Sequence, residues 1–274
     1  MTLLDPMKST FPPTFLIIGA QKCGTTALYT YLSKHPEIIP SEQKELHFFD
    51  CDNRYARGEI FYHGLFPAVS PHQLTFDASA GYLMNHKAPA RIHAYDPKVK
   101  LIALLRNPVD RAYSAWQMYK RRYEVNRDWF FSGWVHFCNN DLNIKKRNED
   151  RIFNFHSYIK EDIASEEEQS VIESPVINHG RYAEQLERYF KFFDKEQIMV
   201  IESDMLRTQT KNVLNNIQDF LGIEYCDFIS GELDPVFEGE YTEKMEDRTR
   251  SFLNSYYKPY NEKLFSLLKT HYSW

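Results

Sequence analysis

No run of about 20 apolar residues occurs anywhere in the 274-residue chain, so a membrane-spanning helix is not expected. Met1 to Pro13 lacks a charged head followed by an apolar stretch and does not read as a secretory leader. Cysteine is scarce, and the spacings of Cys23, Cys51, Cys138 and Cys226 match neither a zinc site nor a disulfide framework. A reduced, cytoplasmic chain is the simpler expectation. Clusters of Asp, His or Cys with metal-ligand spacing are also lacking, so no metal is expected. Ten Gly and 13 Pro are too few for a low-complexity or fibrous protein. Basic residues do not dominate: 33 Lys and Arg face 38 Asp and Glu, for a formal charge of -5. That balance argues against general nucleic-acid binding and does not favour a long polyanion, although a local basic patch is compatible with it. No internal repeat is visible.

What is present is 43% hydrophobic residues, enough for one large globular domain spanning 1–274 with a helical insert. The 20 Phe and 18 Tyr suit the walls of a core or a pocket. Phe15-Leu-Ile-Ile18 is short, branched and wholly apolar, the pattern of a central strand in a parallel sheet. A loop over Gly19–Gly24 follows, then a helix over Thr25–Lys34. Val99–Leu105 is a second strand candidate, ending at Arg106, with Pro108 suited to the first turn of the next helix. Ile198–Ile201 is a third, preceded by a helix from Tyr182 to about Phe193 and followed by a helix over Lys211–Leu221 that Gly222 stops. Alternating strands and helices predict an α/β fold with a central parallel sheet flanked by helices. Residues 123–179 differ. They carry the charged runs Lys145-Lys-Arg147 and Glu166-Glu-Glu168 beside Trp129, Phe130, Phe131 and Trp134. They read as a helical and loop insertion, either a lid over an acceptor or a solvated excursion with one hydrophobic anchor.

The segment Gly19-Ala-Gln-Lys-Cys-Gly24-Thr25-Thr26 carries the chemistry. A helix start presents unpaired N–H groups and the positive end of the helix dipole. Glycines let backbone close around an anion, and together these make an oxyanion cradle. The Gly-x4-Gly spacing matches a Walker loop, but Thr25 stands where that motif has lysine. The lysine is instead Lys22, inside the turn, where it can reach a leaving-group oxygen. Gln21, Lys22, Cys23, Gly24, Thr25 and Thr26 are therefore the candidate phosphate-side residues. Glu45 and His47 alternate, so an extended backbone would place them on one face. A carboxylate there can take a proton from an attacking acceptor. The plain alternative is a surface carboxylate paired with Lys44.

These stretches resemble the sulfotransferases that use 3′-phosphoadenosine-5′-phosphosulfate (PAPS), in particular the branch holding heparan sulfate sulfotransferases and their bacterial homologues. Phe15–Leu28 is similar to their 5′-phosphosulfate loop. His35-Pro36 followed by Lys44-Glu-Leu-His-Phe-Phe-Asp50 also matches that branch, and Leu101–Ser114 is similar to their 3′-phosphate strand and helix. Gly180–Leu186 resembles a later, adenine-side segment. The resemblance implies a P-loop-like, three-layer fold, PAPS as co-substrate and the bisphosphate PAP as product. It implies that Lys22 stabilises the leaving group, that Gly24, Thr25 and Thr26 hold the 5′-phosphate, and that Arg106 and Ser114 hold the 3′-phosphate, with Tyr182 near the base. Glu45 would be the general base and His47 its partner, or itself the base for a different acceptor. Asp50, Ser79 and Tyr82 would complete the acceptor side.

Two departures matter. Asp77-Ala78-Ser79-Ala80 stands where the heparan sulfate branch has an acidic residue followed by lysine, and the lysine is missing. Phe237-Glu-Gly-Glu-Tyr241 stands where the family has a basic loop. Both fit a small-molecule acceptor better than a polyanion, with a saccharide or a hydroxyacyl chain on a carrier protein as alternatives. An ATP-dependent small-molecule kinase and a non-catalytic nucleotide-binding module are the competing classes.

Overall fold

The computed structural model describes residues 13–132, 144–168, 170–227 and 243–274. Along these residues the order is β1 (Phe15–Gly19), α1 (Thr25–Leu32), β2 (Ile38–Pro40), α2 (Asp52–Tyr55), α3 (Gly58–His63), β3 (Leu74–Ala78), α4 (Ala88–Tyr95), β4 (Lys100–Leu105), α5 (Pro108–Val125), α6 (Arg127–Ser132), β5 (Ile144–Lys145), α7 (Phe155–Glu167), β6 (Val171–Ile172), α8 (Tyr182–Tyr189), β7 (Ile198–Glu202), α9 (Ser203–Thr208), α10 (Thr210–Leu221) and α11 (Asp247–Leu268).

Two compact units are formed. The first comprises Met1–Asp50, Arg54–Leu105 and Arg188–Glu238, and the second Cys51–Asn53, Arg106–Glu187 and Gly239–Trp274. The first holds a five-stranded sheet in the order β2-β3-β1-β4-β7. Every pairing is parallel. All five residues of β1 are buried, as a strand flanked on both sides and covered on both faces requires. Phe15 pairs with Phe76 in register, and their rings stack at 5.0 Å. The chain leaves β1 toward β2 and β3 on one side, then crosses to β4 and β7 on the other. The C-terminal end of β1 is thus the switch point where open α/β sheets bind ligands.

The three strands expected from apolar runs are present. β2 and β3 were not anticipated. β2 is only three residues long, and β3 carries Thr75 and Asp77 in its buried centre, so neither gives an unbroken apolar run. The first helix ends at Leu32 and α8 at Tyr189, both short of their expected ends. α10 stops as foreseen, with Gly222 in the left-handed region at φ 76°.

The second unit packs around α5. Val109, Ala112, Tyr113, Trp116 and Tyr119 form its apolar stripe, buried with Phe155, Tyr158 and Ile159 of α7 and Leu253 and Tyr257 of α11. The Trp116 Nε1–H donates to the Ile152 carbonyl at 2.8 Å. Phe130 is buried in this cluster, whereas Trp134 lies outside the described residues. Arg147, read as part of a solvated charged run, is buried instead. Its guanidinium covers the Tyr158 ring at 3.5 Å, and it donates to the Tyr158 carbonyl at 3.0 Å and to Glu161 at 3.2 Å. A buried cation persists only with such partners.

Because Ile17 lies fully buried at the centre of the sheet, Ile17→Ala is expected to lower stability by roughly 2–5 kcal/mol. An exposed change such as Lys98→Ala is expected to cost less than about 0.5 kcal/mol. Urea unfolding of the two variants checks the contrast.

Candidate active site

The loop after β1 is shaped by backbone rather than by side chains. The Ala20 N–H donates to the Leu104 carbonyl of β4 at 2.8 Å, and the Cys23 N–H turns back to the Ala20 carbonyl at 3.2 Å. Lys22 adopts φ 66° and Gly24, the N-cap of α1, φ 90°. Gly24 has no side chain to cap the helix, so the first amides of α1 are left to another acceptor. Thr25 is buried, while Gln21, Lys22, Gly24 and Thr26 are half-buried and Cys23 is enclosed. The donors gathered here are amides, an ammonium group and hydroxyls, a set that fits a phosphate or sulfate oxygen. Gly19 also makes a close approach. A Cβ on it would meet Leu83 Cβ at 2.8 Å and the Ala80 carbonyl oxygen at 3.0 Å.

The segment that Gly19 touches also holds Glu45. The Ser79 N–H donates to the Ile17 carbonyl and the Leu83 N–H to the Ile18 carbonyl, so residues 79–83 run along the end of β1. The Ala80 N–H donates to Glu45 Oε2 at 2.9 Å, and the Glu45 N–H donates to the Ala78 carbonyl at 3.0 Å. Lys44 Nζ pairs with Glu45 Oε1. The plain ion pair expected for Glu45 therefore exists, but the carboxylate is gripped on its other oxygen as well and remains about a third exposed (34%).

Glu45 and His47 do meet, though not by the expected extended backbone. Both adopt left-handed φ, 63° and 50°, in an irregular turn. Such a conformation costs a non-glycine residue roughly 1–2 kcal/mol, and surrounding hydrogen bonds must over-determine it. His47 lies between two carboxylates: Nδ1 is 2.8 Å from Asp50 Oδ2 and Nε2 is 3.4 Å from Glu45 Oε2. Burial pushes the imidazole pKa down, but Asp50 by charge and hydrogen bond, then Glu45 and Asp77 by charge, raise it overall above its ordinary 6.5. A carboxylate oxygen thus faces each ring nitrogen of His47. Gly81 makes this possible: a Cβ there would lie 2.2 Å from Asp50 Oδ2.

Ser79 and Tyr82, expected to face the acceptor, are fully buried. Their hydroxyls donate to Asp77, at 2.8 Å and 2.5 Å. Tyr62 adds a third donor at 3.0 Å. Burial drives the Asp77 carboxyl up to about 6, with the three hydroxyls and His47 pulling the other way. Asp77 as a hub, Tyr62 and Gly81 were not foreseen. An aspartate between Phe76 and Ala78 was the available signal.

Arg106, Ser114 and Tyr182 belong to the second unit. Arg106 directly follows β4 and is half-buried, and Ser114 is buried on α5. Tyr182, expected near a base, is only 1% exposed, and its hydroxyl donates to the Arg106 carbonyl at 2.9 Å, so it fixes the arginine's backbone. Arg111, also on α5, is fully buried and donates from Nη2 to the Val176 carbonyl. The acidic Glu238–Glu240 stretch lies outside the described residues. Among the described residues no group of three or more His, Cys, Asp or Glu could hold a metal ion, and no helix is long and apolar enough to cross a membrane.

A parallel sheet ordered 2-3-1-4-7, with an anion cradle at the end of its central strand, places this chain in the P-loop-like class of group-transfer folds. Within that class it belongs to the sulfotransferase family, whose domain matches residues 12–264, as the sequence motifs suggested. The chain is 30% identical over 283 residues to the bifunctional heparan sulfate N-deacetylase/N-sulfotransferase 4 of Mus musculus and equally to the type 3 protein of Homo sapiens, covering 93% of this chain. It spans 30% of the length of those relatives. The crystal structure of a sulfotransferase from Alicyclobacillus acidocaldarius is similar at a TM-score of 0.72 and 26% identity, covering 96% of this chain and 98% of that one.

The raised His47 pKa has a signed consequence. Its stabilising contribution is fully present below pH 6.5 and is lost as pH rises through the higher folded value. In Asp50→Asn the His47 midpoint, read by imidazole NMR, is expected to move down, and the loss of stability above pH 6.5 to become shallower.

Proposed function

We propose that this protein transfers a sulfuryl group from PAPS to a hydroxyl or amine of a small acceptor, with Glu45 as general base. The observation that carries this reading is the position of Glu45. Its carboxylate accepts from the Ala80 amide within the same short segment that packs against Gly19, the first residue of the anion cradle. Glu45 and the turn after β1 are thereby joined through residues 78–83.

When bound, PAPS supplies the sulfuryl group and departs as PAP. The residues here are suited to the remaining tasks. Gly24, Thr25 and Thr26, at the start of α1, would hold the 5′-phosphate. Gln21 and Cys23 contribute backbone to the same turn. Lys22 would neutralise charge developing on the leaving oxygen. Arg106, at the tip of a strand, and Ser114 would hold the 3′-phosphate, since a guanidinium matches phosphate geometry. As the acceptor O–H or N–H bond breaks, its proton passes to Glu45. His47, backed by Asp50, keeps that carboxylate aimed. Ser79 and Tyr82 act behind it.

Ala78 stands where the resemblance would put lysine, and this favours a small molecule over a sulfated sugar. The second reading is N-sulfation of an amino sugar, favoured by the names of the mammalian relatives, which include N-sulfotransferase. An acceptor panel with radiolabelled PAPS, pairing phenolic and aliphatic hydroxyls against glucosamine-containing saccharides, separates the two. Binding of PAP in preference to ATP separates both from a kinase.

Glu45→Gln is expected to lower turnover by about 10²- to 10⁴-fold while PAP binding by calorimetry is nearly unchanged. A wild-type rate in that variant removes Glu45 from the chemistry. Lys22→Ala is expected to lower turnover by about 10²-fold or more; an unchanged rate would refute its leaving-group role.

A further inference from the structure

We propose that Asp77 is a positioning residue for this transfer: its buried carboxylate, acting through the hydroxyls of Ser79 and Tyr82, fixes the backbone on which Glu45 and His47 are aimed. The inference rests on the reading of Glu45 as the base.

The argument is one of hydrogen-bond polarity. The His47 N–H donates to Ser79 Oγ at 2.9 Å, and the Phe48 N–H donates to the Tyr82 hydroxyl oxygen at 2.9 Å. A backbone N–H can only donate, so each hydroxyl accepts there and must turn its single proton elsewhere. Both protons go to Asp77, from Ser79 to Oδ1 at 2.8 Å and from Tyr82 to Oδ2 at 2.5 Å. Tyr62, from α3, donates to Oδ2 as well, at 3.0 Å. Three hydroxyl protons thus converge on one side chain that is fully buried. Only a group that accepts at both ends satisfies them, and among side chains of this size only the ionised carboxylate does.

The two relays end on successive amides, those of His47 and Phe48. His47 is one of the residues held at left-handed φ, and Glu45 lies two positions earlier with the same strain. Strained backbone persists only where its surroundings over-determine it. Asp77 supplies that constraint from beneath, as Ala78 and Ala80 supply it from the side through their contacts with Glu45. Asp77 touches no reacting atom. Its effect travels through two hydroxyls and two amides.

Asp77→Asn tests the idea with almost no change of size. The amide nitrogen would confront a hydroxyl proton on one side, so one relay must break. At saturating PAPS and with the acceptor found by the panel above, kcat is expected to fall roughly 10- to 100-fold, while KM for PAPS and the affinity for PAP stay within about twofold. Independently of any acceptor, the amide protons of His47 and Phe48 are expected to exchange about tenfold faster than in the wild type, with the β4 amides unchanged. Tyr82→Phe, which removes one relay and leaves the charge, is expected to release the Phe48 amide alone and to lower kcat less; it carries the test if Asp77→Asn does not fold. Wild-type exchange, or faster exchange with a wild-type kcat, overturns the proposal. Glu45→Gln run in parallel keeps the two readings apart. An inactive Glu45→Gln beside a fully active Asp77→Asn sinks only the role of Asp77, whereas an active Glu45→Gln sinks the reading of the base.

Discussion

The parallel pairing of β1 with β3 is the constraint from which the candidate site follows. Phe15, Leu16 and Ile17 pair with Phe76, Asp77 and Ala78, so the two strands end side by side. Amides of the next residues, Ser79 and Leu83, continue to bond to β1 carbonyls beyond the strand itself. An anion-cradling turn leaves one strand end and a carboxylate-gripping turn leaves the other. Their closeness needs no hydrogen bond between the turns, only the register of the sheet and a glycine at position 19 small enough to let Ala80 and Leu83 approach.

Charge at this site is managed by pairing. Glu45, Asp50 and Asp77 would repel one another in a partly buried setting, yet each has a donor: Lys44 and an amide, His47, and three hydroxyls. His47 lies between two of them, Glu45 and Asp50, and the acidity of its surroundings raises its pKa despite burial. Asp77 behaves the opposite way to a surface aspartate, its pKa lifted to about 6 by loss of water. The partly exposed Glu45 carboxylate thus shares a segment of the fold with an enclosed Asp77 whose proton affinity burial has raised.

The second unit is organised by aromatic packing around Trp116, with buried cations at Arg111 and Arg147 satisfied in part by main-chain carbonyls. Tyr182 illustrates how a residue expected to meet a ligand can serve one step behind it. Its ring is enclosed and its hydroxyl holds the carbonyl of Arg106. Ser79 and Tyr82 repeat this in the first unit. In each case the side chain is buried and its hydroxyl is turned to a partner within the protein.

By itself the sequence determined the central strand, the turn and helix after it, and the strand ending before Arg106. These are local features: an apolar run, glycine spacing and a proline at a helix start are set by residues adjacent in the chain. The strand carrying Asp77 was not legible, because a buried polar residue breaks the apolar pattern and its three hydroxyl partners come from positions 62, 79 and 82. The left-handed turn at Glu45 and His47 was not legible either, since its strain is held by amides and hydroxyls supplied by residues more than 30 positions away. Tertiary structure alone decided which side chains face outward to do chemistry and which face inward to hold them, because that choice depends on burial and hydrogen-bond polarity among groups that only the folded sheet brings together.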